Sequence, residues 1–370
     1  MDLYRLPWRL EHNKVRGEGG REIDRFRGEE PAVDTMDGSE AWVGSDMRAF
    51  NATVDRPDLG MSFVQLPGGG RRLLSEMITA APEQALGKAH IARYGQNLGV
   101  LIKLLDAKSQ YTIQAHPPRD AAARLWHSPR GKEESWYILH LRDDAAEPPY
   151  IYLGFRENVS QAAFRDCCER NDTAGVEQMC HKFPVQVGDA FFIPGGMPHA
   201  LGAGCLAVEV QEPSDLTVVP LSQRALMKRL FSAATEESRL PLEPEELYRE
   251  KMLAGFQVVG MSAQEVLQLC KSRKPLLRKG PWGTEHLVFG PKQTDSFSLI
   301  RSEIRGEMPM NRPTAPEVLL VLSGEGELEC GGQTLSLRRA DELFLPCGIA
   351  EAMIRGGVTL LRCRPGGIEY

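Results

Sequence analysis

Residues 183–200 read FPVQVGDAFFIPGGMPHA and residues 335–352 read LSLRRADELFLPCGIAEA, so the chain carries one segment twice at an offset of 152 positions. Each copy predicts a strand that ends in a tight turn and returns the chain to the interior of a β-barrel. In the second copy, Ala340 stands in place of Gly188, and Glu351 stands in place of His199. The identical pairs are Asp189 and Asp341, Phe192 and Phe344, Pro194 and Pro346, Gly196 and Gly348, and Ala200 and Ala352.

The sequence around both copies alternates short apolar runs with glycine and proline turns, which is typical of barrels and sandwiches. Residues 160–181 interrupt this series and are predicted to be helical. The predicted strands of the first half cover residues 98–106, 111–116, 134–141, 150–155, 185–194 and 206–211. Those of the second half cover residues 286–289, 297–304, 317–322, 326–330, 333–337 and 352–362.

The first copy follows the pattern G-x5-P-x-G-x2-H, which resembles the second motif of the cupin superfamily. The resemblance implies a mainly β fold of two cupin barrels (double-stranded β-helix or jelly roll) with a few helices. We expect an N-terminal metal-binding cupin domain with helical insertions over residues 1–240 and a C-terminal cupin domain over residues 241–370. Because no histidine follows His286, we expect the C-terminal domain to lack metal ligands.

Four residues in the first half form a candidate metal site. Gln114 and His116 are two apart and share one face of the predicted strand, which Pro117 and Pro118 end. Glu134 leads an apolar strand, where a buried carboxylate needs a partner, and His199 ends the glycine- and proline-rich turn. This set of nitrogen and oxygen ligands suits Zn²⁺ or another borderline divalent cation. We therefore expect one Zn²⁺ per chain in the N-terminal barrel.

Composition narrows the possible partners and location. A net charge of −6 and a pI near 5.9 argue against nucleic-acid binding. No stretch approaches the ~20 apolar residues of a membrane span, and the charged N-terminal sequence does not resemble a signal peptide. The eight cysteines contain no CxxC pair, which is typical of reduced thiols. We expect a cytoplasmic protein whose partner is a small molecule, and the sequence does not indicate an oligomeric state.

Several segments between residues 40 and 220 resemble type I mannose-6-phosphate isomerases. The segments LIKLLDA (101–107) and YTIQAHP (111–117) resemble that family's KLLDA…LSIQVHP, and GKEESWY (131–137) resembles GKTEMWY. Residues 189–199 resemble GDxxxIPAGTxHA, and EAWVGS (40–45) resembles EEWxxS. EVQEPSDLT (209–217) resembles the first part of EIQxxSDxTYR. The likeness therefore covers most of this region rather than a single motif.

The resemblance implies a zinc-dependent aldose–ketose isomerase that interconverts mannose 6-phosphate and fructose 6-phosphate. It implies that Gln114, His116, Glu134 and His199 bind zinc. It also places Thr112 and Lys132 near the substrate, at its phosphate. The chain departs from the family at one position, because Val219 stands where the family has an arginine that it treats as catalytic.

Isomerisation moves a proton between C1 and C2 of the sugar, and the residues suggest which groups assist it. Glu209 and Asp215 are both candidate bases, and strand alternation aims Glu209 and Gln211 at one face. Lys132 lies two residues before Glu134 and is expected to reach into the mouth of the barrel. We predict Lys132 and Glu209 as catalytic residues, and we predict Asp215, together with Thr112 and Lys132, as substrate-binding.

Val219 leaves two alternatives open, because valine can neither carry charge nor donate a hydrogen bond to an oxyanion. The first is an isomerase or epimerase that acts on a different sugar at the same site. The second is a catalytically impaired metal-binding protein that senses a sugar.

Overall fold

The computed structural model describes residues 2–230, 243–310 and 314–367, and its strands and helices form a mainly β protein. Among these residues no helix is both long and apolar enough to cross a bilayer. The first-half strands are β1 (Trp8–Arg9), β2 (Lys14–Arg16), β3 (Glu40–Val43), β4 (Phe63–Gln65), β5 (Arg71–Leu73), β6 (Leu101–Asp106), β7 (Glu134–Leu141), β8 (Tyr150–Arg156), β9 (Cys180–Pro184), β10 (Ala190–Ile193), β11 (His199–Leu201) and β12 (Cys205–Gln211). The second-half strands are β13 (Gly260–Met261), β14 (Leu276–Gly280), β15 (Gly283–Phe289), β16 (Phe297–Met310), β17 (Glu317–Cys330), β18 (Gln333–Arg338), β19 (Glu342–Leu345) and β20 (Ala352–Pro365). The α-helices are α1 (Arg21–Arg27), α2 (Leu74–Ala80), α3 (Pro82–Leu86), α4 (Lys88–Tyr94), α5 (Arg119–Trp126), α6 (Gln161–Glu169), α7 (Thr173–Met179), α8 (Gln223–Leu230), α9 (Glu245–Gly255) and α10 (Ala263–Cys270), and a short 3₁₀ helix spans Leu3–Arg5.

Two sheets of the first half pack face to face around a buried apolar layer. One is six-stranded, in the order β10-β7-β12-β6-β3-β2, and the other joins β11, β8 and β13 with β9. Trp136 and Phe191 from the first sheet pack with Ile151 and Leu201 from the second. Burying the inner faces in this way is the main stabilising term of a sandwich. Among the described residues no sheet closes on itself, so the predicted barrel is an open pair of sheets.

The duplicated segment adopts the same local structure in both copies. β10 and β19 occupy equivalent positions, and each follows a turn in which an aspartate side chain accepts a backbone N–H three residues earlier, Asp189 from Gln186 and Asp341 from Arg338. Gly188 has a φ of 87°, and Ala340 keeps a left-handed φ of 69° at the equivalent position. The predicted strand and turn are confirmed, although the first strand spans only Ala190–Ile193 rather than residues 185–194.

The predicted strand over residues 111–116 is wrong, because this segment makes only isolated bridges. Gln114 pairs with His199, and Ala115 pairs with Val218. The two prolines that follow have no backbone N–H, so the ladder cannot continue past them. The predicted helix over residues 160–181 is confirmed as α6 and α7, with β9 beginning at Cys180.

The second half forms an eight-stranded sheet that also contains β1 from the N-terminus, which pairs with β19. One large apolar core includes residues of both halves, and the ring of Phe192 lies 6.4 Å from those of Phe289 and Phe297. The predicted boundary between residues 240 and 241 lies outside the described residues. The division into two cupin domains therefore stays a prediction.

Candidate metal centre and active site

His116, Glu134 and His199 of the predicted site lie on separate segments of the chain. Backbone hydrogen bonds hold these segments together. Glu134 begins β7, which lies between β10 and β12. His199 begins β11, and its backbone exchanges two hydrogen bonds with Gln114, at 3.0 Å and 2.9 Å. His116 follows two residues after Gln114, and its carbonyl accepts the N–H of Gly196 at 2.7 Å. The Gly/Pro turn before His199 is thus hydrogen-bonded to the segment that contains Gln114 and His116, both within the turn at Gly196 and after it at His199.

These side chains converge around the carboxylate of Glu134. Nε2 of His116 lies 2.8 Å from Glu134 Oε2, and Nε2 of His199 lies 3.2 Å from Glu134 Oε1. All three residues are buried, and their ligand atoms lie within 4.8 Å of one another. The amide nitrogen of Gln114 is 3.4 Å from His199 Nε2, so the fourth predicted ligand lies beside the cluster. Rotating the side-chain amide of Gln114 by 180° would place its oxygen, instead of its nitrogen, beside His199 Nε2.

Both imidazoles are held in the tautomer that metal ligands use. Nδ1 of His116 donates to the carbonyl of Leu216 at 2.9 Å, and Nδ1 of His199 donates to the carbonyl of Met197 at 2.8 Å. Because a carbonyl only accepts, Nδ1 must carry a proton, and in the neutral form of each ring the lone pair is therefore on Nε2. Such backbone partners are the usual support of metal-bound histidines, since they fix ring orientation.

Lys132 places its ammonium against the same atoms. Its Nζ lies 2.8 Å from His116 Nε2 and 3.1 Å from Glu134 Oε2, and the side chain is buried. Burial and the neighbouring Lys132 lower the pKa of His116 to about 3, so this ring stays neutral and able to bind a metal. Burial opposes ionisation of Glu134, but Lys132 and the two histidines outweigh it and hold its pKa well below the usual range.

The residues present fit a divalent cation. Two lone pairs and a carboxylate face one another in a buried space, where they repel unless a positive charge lies among them. Within the described residues neither oxygen of Glu134 has a well-directed hydrogen bond, although Lys132 and His116 are close. A buried carboxylate without such bonds is costly, and a cation would satisfy both oxygens. The nitrogen and oxygen donors match zinc chemistry, as the sequence predicts.

A row of side chains crosses four adjacent strands beside the cluster. Trp42 on β3, Lys103 on β6, Glu209 on β12 and Trp136 on β7 are successive cross-strand partners. Glu209 accepts a hydrogen bond from Trp136 Nε1 at 3.1 Å and lies 3.1 Å from Lys103 Nζ. The ring of Trp136 meets that of His199 edge-on, with centroids 5.5 Å apart. Glu209 therefore contacts Trp136, which in turn contacts the candidate ligand His199.

The charges continue from Lys103 toward the surface. Lys103 Nζ is 3.1 Å from Glu40, and Arg16 bridges Glu40 to Asp215. Arg16 donates to both oxygens of Asp215, at 2.8 Å and 2.7 Å. Asp215, predicted to bind substrate, is thus engaged by a guanidinium.

Lys103, Glu40 and Arg16 are site residues that were not predicted from the sequence. A lysine inside the apolar run 101–106 was the available signal, because a buried cation requires an anionic partner.

Two further positions singled out in the sequence make no hydrogen bond with the cluster in the described part of the chain. Thr112 is half-buried four residues before His116, and no hydrogen bond links it to the cluster in the described part of the chain. Val219 is half-buried, and its carbonyl accepts the N–H of Leu221 at 2.8 Å. The structure thus brings together His116, Glu134, His199 and Lys132, with Gln114 beside them.

Comparisons with known proteins identify the family of the chain. The sequence-family model of the phosphomannose isomerase type I catalytic domain matches residues 12–145. The family model of the mannose-6-phosphate isomerase cupin domain matches residues 289–365. Mannose-6-phosphate isomerase ManA of Bacillus subtilis is 24% identical over 321 residues, covering 85% of this chain and 92% of that protein. Mannose-6-phosphate isomerase of Streptococcus mutans is 28% identical over 268 residues, covering 71% of this chain and 72% of that protein.

Solved structures share the whole fold. The mannose 6-phosphate isomerase of Bacillus subtilis superposes with a TM-score of 0.71 at 22% identity, covering 97% of this chain and 99% of that one. A mannosephosphate isomerase described as putative, from Archaeoglobus fulgidus, gives a TM-score of 0.70 at 19% identity, covering 99% of both chains. The chain belongs to the type I mannose-6-phosphate isomerase family, a family of isomerases within the cupin superfamily.

Proposed function

We propose that this chain is a zinc-dependent aldose–ketose isomerase that interconverts mannose 6-phosphate and fructose 6-phosphate. The observation that carries the proposal is the buried meeting of His116, Glu134 and His199, with both imidazoles bonded through Nδ1 to backbone carbonyls and a carboxylate lacking directed hydrogen bonds. The activity named for the curated relatives agrees with it. We further propose a cytoplasmic location and a small sugar phosphate as the partner, without nucleic acid or membrane.

Gln114, His116, Glu134 and His199 would hold the metal in this proposal. A bound Zn²⁺ would polarise the sugar oxygens on C1 and C2. Buried walls such as Trp136 exclude water from the space, which strengthens every electrostatic interaction in it. Lys132 adds a second positive charge on the side of His116 and can stabilise negative charge on a substrate oxygen.

Glu209 is the carboxylate that we assign to proton transfer between C1 and C2. Trp136 and Lys103 each contact one of its oxygens, so its orientation is fixed before substrate binds. Both oxygens of Asp215 are engaged in the same way, by Arg16. What favours Glu209 is its hydrogen-bond donor Trp136, whose ring lies against that of His199.

An isomerase assay tests the proposal. Purified protein is incubated with mannose 6-phosphate, with and without added zinc, and fructose 6-phosphate is measured. We expect turnover that disappears with a chelator and in His116→Ala. Absence of turnover on every hexose phosphate tested, with metal bound, would reject the proposal.

A second candidate function follows from Val219, which supplies no charge where the family has an arginine. The site would then serve an isomerase or epimerase for another sugar, or a sensor that binds a sugar without converting it. Val219→Arg separates these cases. Turnover of a non-phosphorylated sugar that is independent of this substitution supports the other enzyme, and ligand-induced stabilisation without product supports the sensor.

A further inference from the structure

A cleft of about 750 Å³ opens beside the metal centre rather than directly over it. Its lining includes the segment 212–216, whose last residue, Leu216, accepts the hydrogen bond from Nδ1 of His116. Glu212 in the same segment accepts the backbone N–H of Glu133, next to the ligand Glu134. The cleft wall is therefore hydrogen-bonded to the candidate ligand His116 and to Glu133, the neighbour of Glu134.

Three arginines line this cleft, and two of them are already neutralised. Arg119 contacts Glu212 at 3.0 Å and Asp295 at 3.0 Å, and it also donates to Ser296. Arg93 contacts Asp295 at 3.0 Å. These pairs connect walls of the cleft from both halves of the chain, but they leave no free positive charge for a ligand.

Arg130 is the third arginine of the cleft, and among the described residues it forms no ion pair with a carboxylate. Among the described residues no carboxylate lies within ion-pair distance of it, and its Nη1 is buried without a hydrogen-bond partner. Glu212 and Asp46 act on it only from farther away, and burial lowers its pKa. A half-buried guanidinium in this condition is costly, and an anion in the cleft would satisfy its donors.

The guanidinium of Arg130 is also held in place from behind. It lies over the ring of Tyr94, 5.0 Å from the centroid. Tyr94 is fixed by its hydroxyl, which donates to the carbonyl of Gly366 at 2.9 Å, and by the ring of His90 at 4.9 Å. Gly99 has a φ of 81°, and a Cβ there would lie 2.9 Å from the Tyr94 ring. This support positions the cation without using its hydrogen-bond donors.

We propose that Arg130, rather than Thr112 or Lys132, binds the phosphate group of the substrate, because Arg130 lines this cleft and those two residues do not. The inference rests on the proposed sugar-phosphate isomerase and names its anion subsite. Arginine presents a planar pair of donors that matches two phosphate oxygens. Leu216 in the wall of the cleft is hydrogen-bonded to His116, so the sugar carbons would have to pass this wall to reach the metal ligands.

Binding of inorganic phosphate, measured by calorimetry on the metal-loaded protein, tests the proposal. Arg130→Gln is expected to raise the Kd by about tenfold to a hundredfold, as for loss of a charged hydrogen-bonding pair. Arg130→Lys keeps the charge and should lose less. The matched control is Arg124→Gln, because Arg124 is exposed and pairs with Glu250 outside the cleft. The KM for mannose 6-phosphate should rise with the phosphate Kd, while kcat changes less.

Two results would overturn the inference. One is a folded Arg130→Gln, with an unchanged melting temperature, that binds phosphate like the wild type. The other is a wild-type protein that shows no phosphate binding. Failure of the isomerase itself gives a different pattern, because phosphate would still bind through Arg130 while no hexose phosphate is converted.

Discussion

Nε2 of His116 lies 2.8 Å from a carboxylate oxygen of Glu134, while Nδ1 of the same ring donates to the Leu216 carbonyl. The ring therefore turns its lone pair toward a negative charge inside a buried space. Lys132 counters this on one side only. Lys132 already balances the single charge of Glu134, so a metal ion would be held by the lone pairs of its ligands, and the function proposed for the chain depends on this relationship.

Glu209→Gln tests the assigned base. The amide can still accept from Trp136 but cannot take up a proton, so we expect kcat on mannose 6-phosphate to fall by about 10²- to 10⁴-fold. Steady-state kinetics measure the loss, and metal content and melting temperature should match the wild type. An unchanged kcat would assign proton transfer to another group.

Lys103→Met tests the buried charge row. Lys103 contacts both Glu40 and Glu209, so its removal leaves two buried carboxylates without this cation. We expect the free energy of unfolding in urea at neutral pH to fall by roughly 3–5 kcal/mol. Lys108→Met is the control, since Lys108 forms an exposed pair with Glu18 and its loss should change the free energy of unfolding far less. Equal effects of the two substitutions would contradict this account of the row.

Stability should fall at acidic pH through Glu317 in the second half. Burial raises the pKa of its carboxyl, but Arg362 and Arg364 outweigh this and hold the pKa at about 2, against 4.5 ordinarily. Because the folded pKa is the lower one, the stabilisation is complete above pH 4.5 and is lost as pH falls toward 2. The shift corresponds to roughly 3 kcal/mol.

Denaturant titrations at pH 6, 4 and 2.5 measure this dependence, and Glu317→Gln should flatten it. A variant whose stability falls as steeply as that of the wild type over this range would show that other carboxylates control acid sensitivity.

A double-mutant cycle of Arg16→Gln and Asp215→Asn tests the pair that joins the N-terminus to the segment after β12. Two hydrogen bonds link the charged groups, so we expect a coupling free energy of about 1.5–3 kcal/mol in unfolding measurements. We expect the KM for mannose 6-phosphate to change little in Asp215→Asn. A KM increase that persists in the Arg16→Gln background would instead support the predicted substrate contact of Asp215.

Local patterns mark the candidate metal ligands, so the sequence alone could single them out. Gln114 and His116 are two apart before a proline pair, and the duplicated turn places His199 at the start of β11. The strand expected over residues 111–116 was wrong in form, because two isolated bridges suffice to hold these residues. The positions of Gln114 and His116 therefore do not require a continuous β-ladder.

The charge row and the cleft could not be predicted in the same way. Arg16 and Asp215 are 199 positions apart, and their contact depends on strand order and register that no local pattern encodes. The cleft likewise combines residues from Met47 to Ser296. Only Lys103, a cation within a buried apolar strand, gave a local signal of such a network.

The most direct test of the central claim is the metal content of the purified, dialysed protein, measured by elemental analysis beside His116→Ala and His199→Ala. We predict close to one zinc or other divalent ion per wild-type chain and almost none in either folded variant. Wild-type protein without stoichiometric metal, or variants that retain it, would contradict the account.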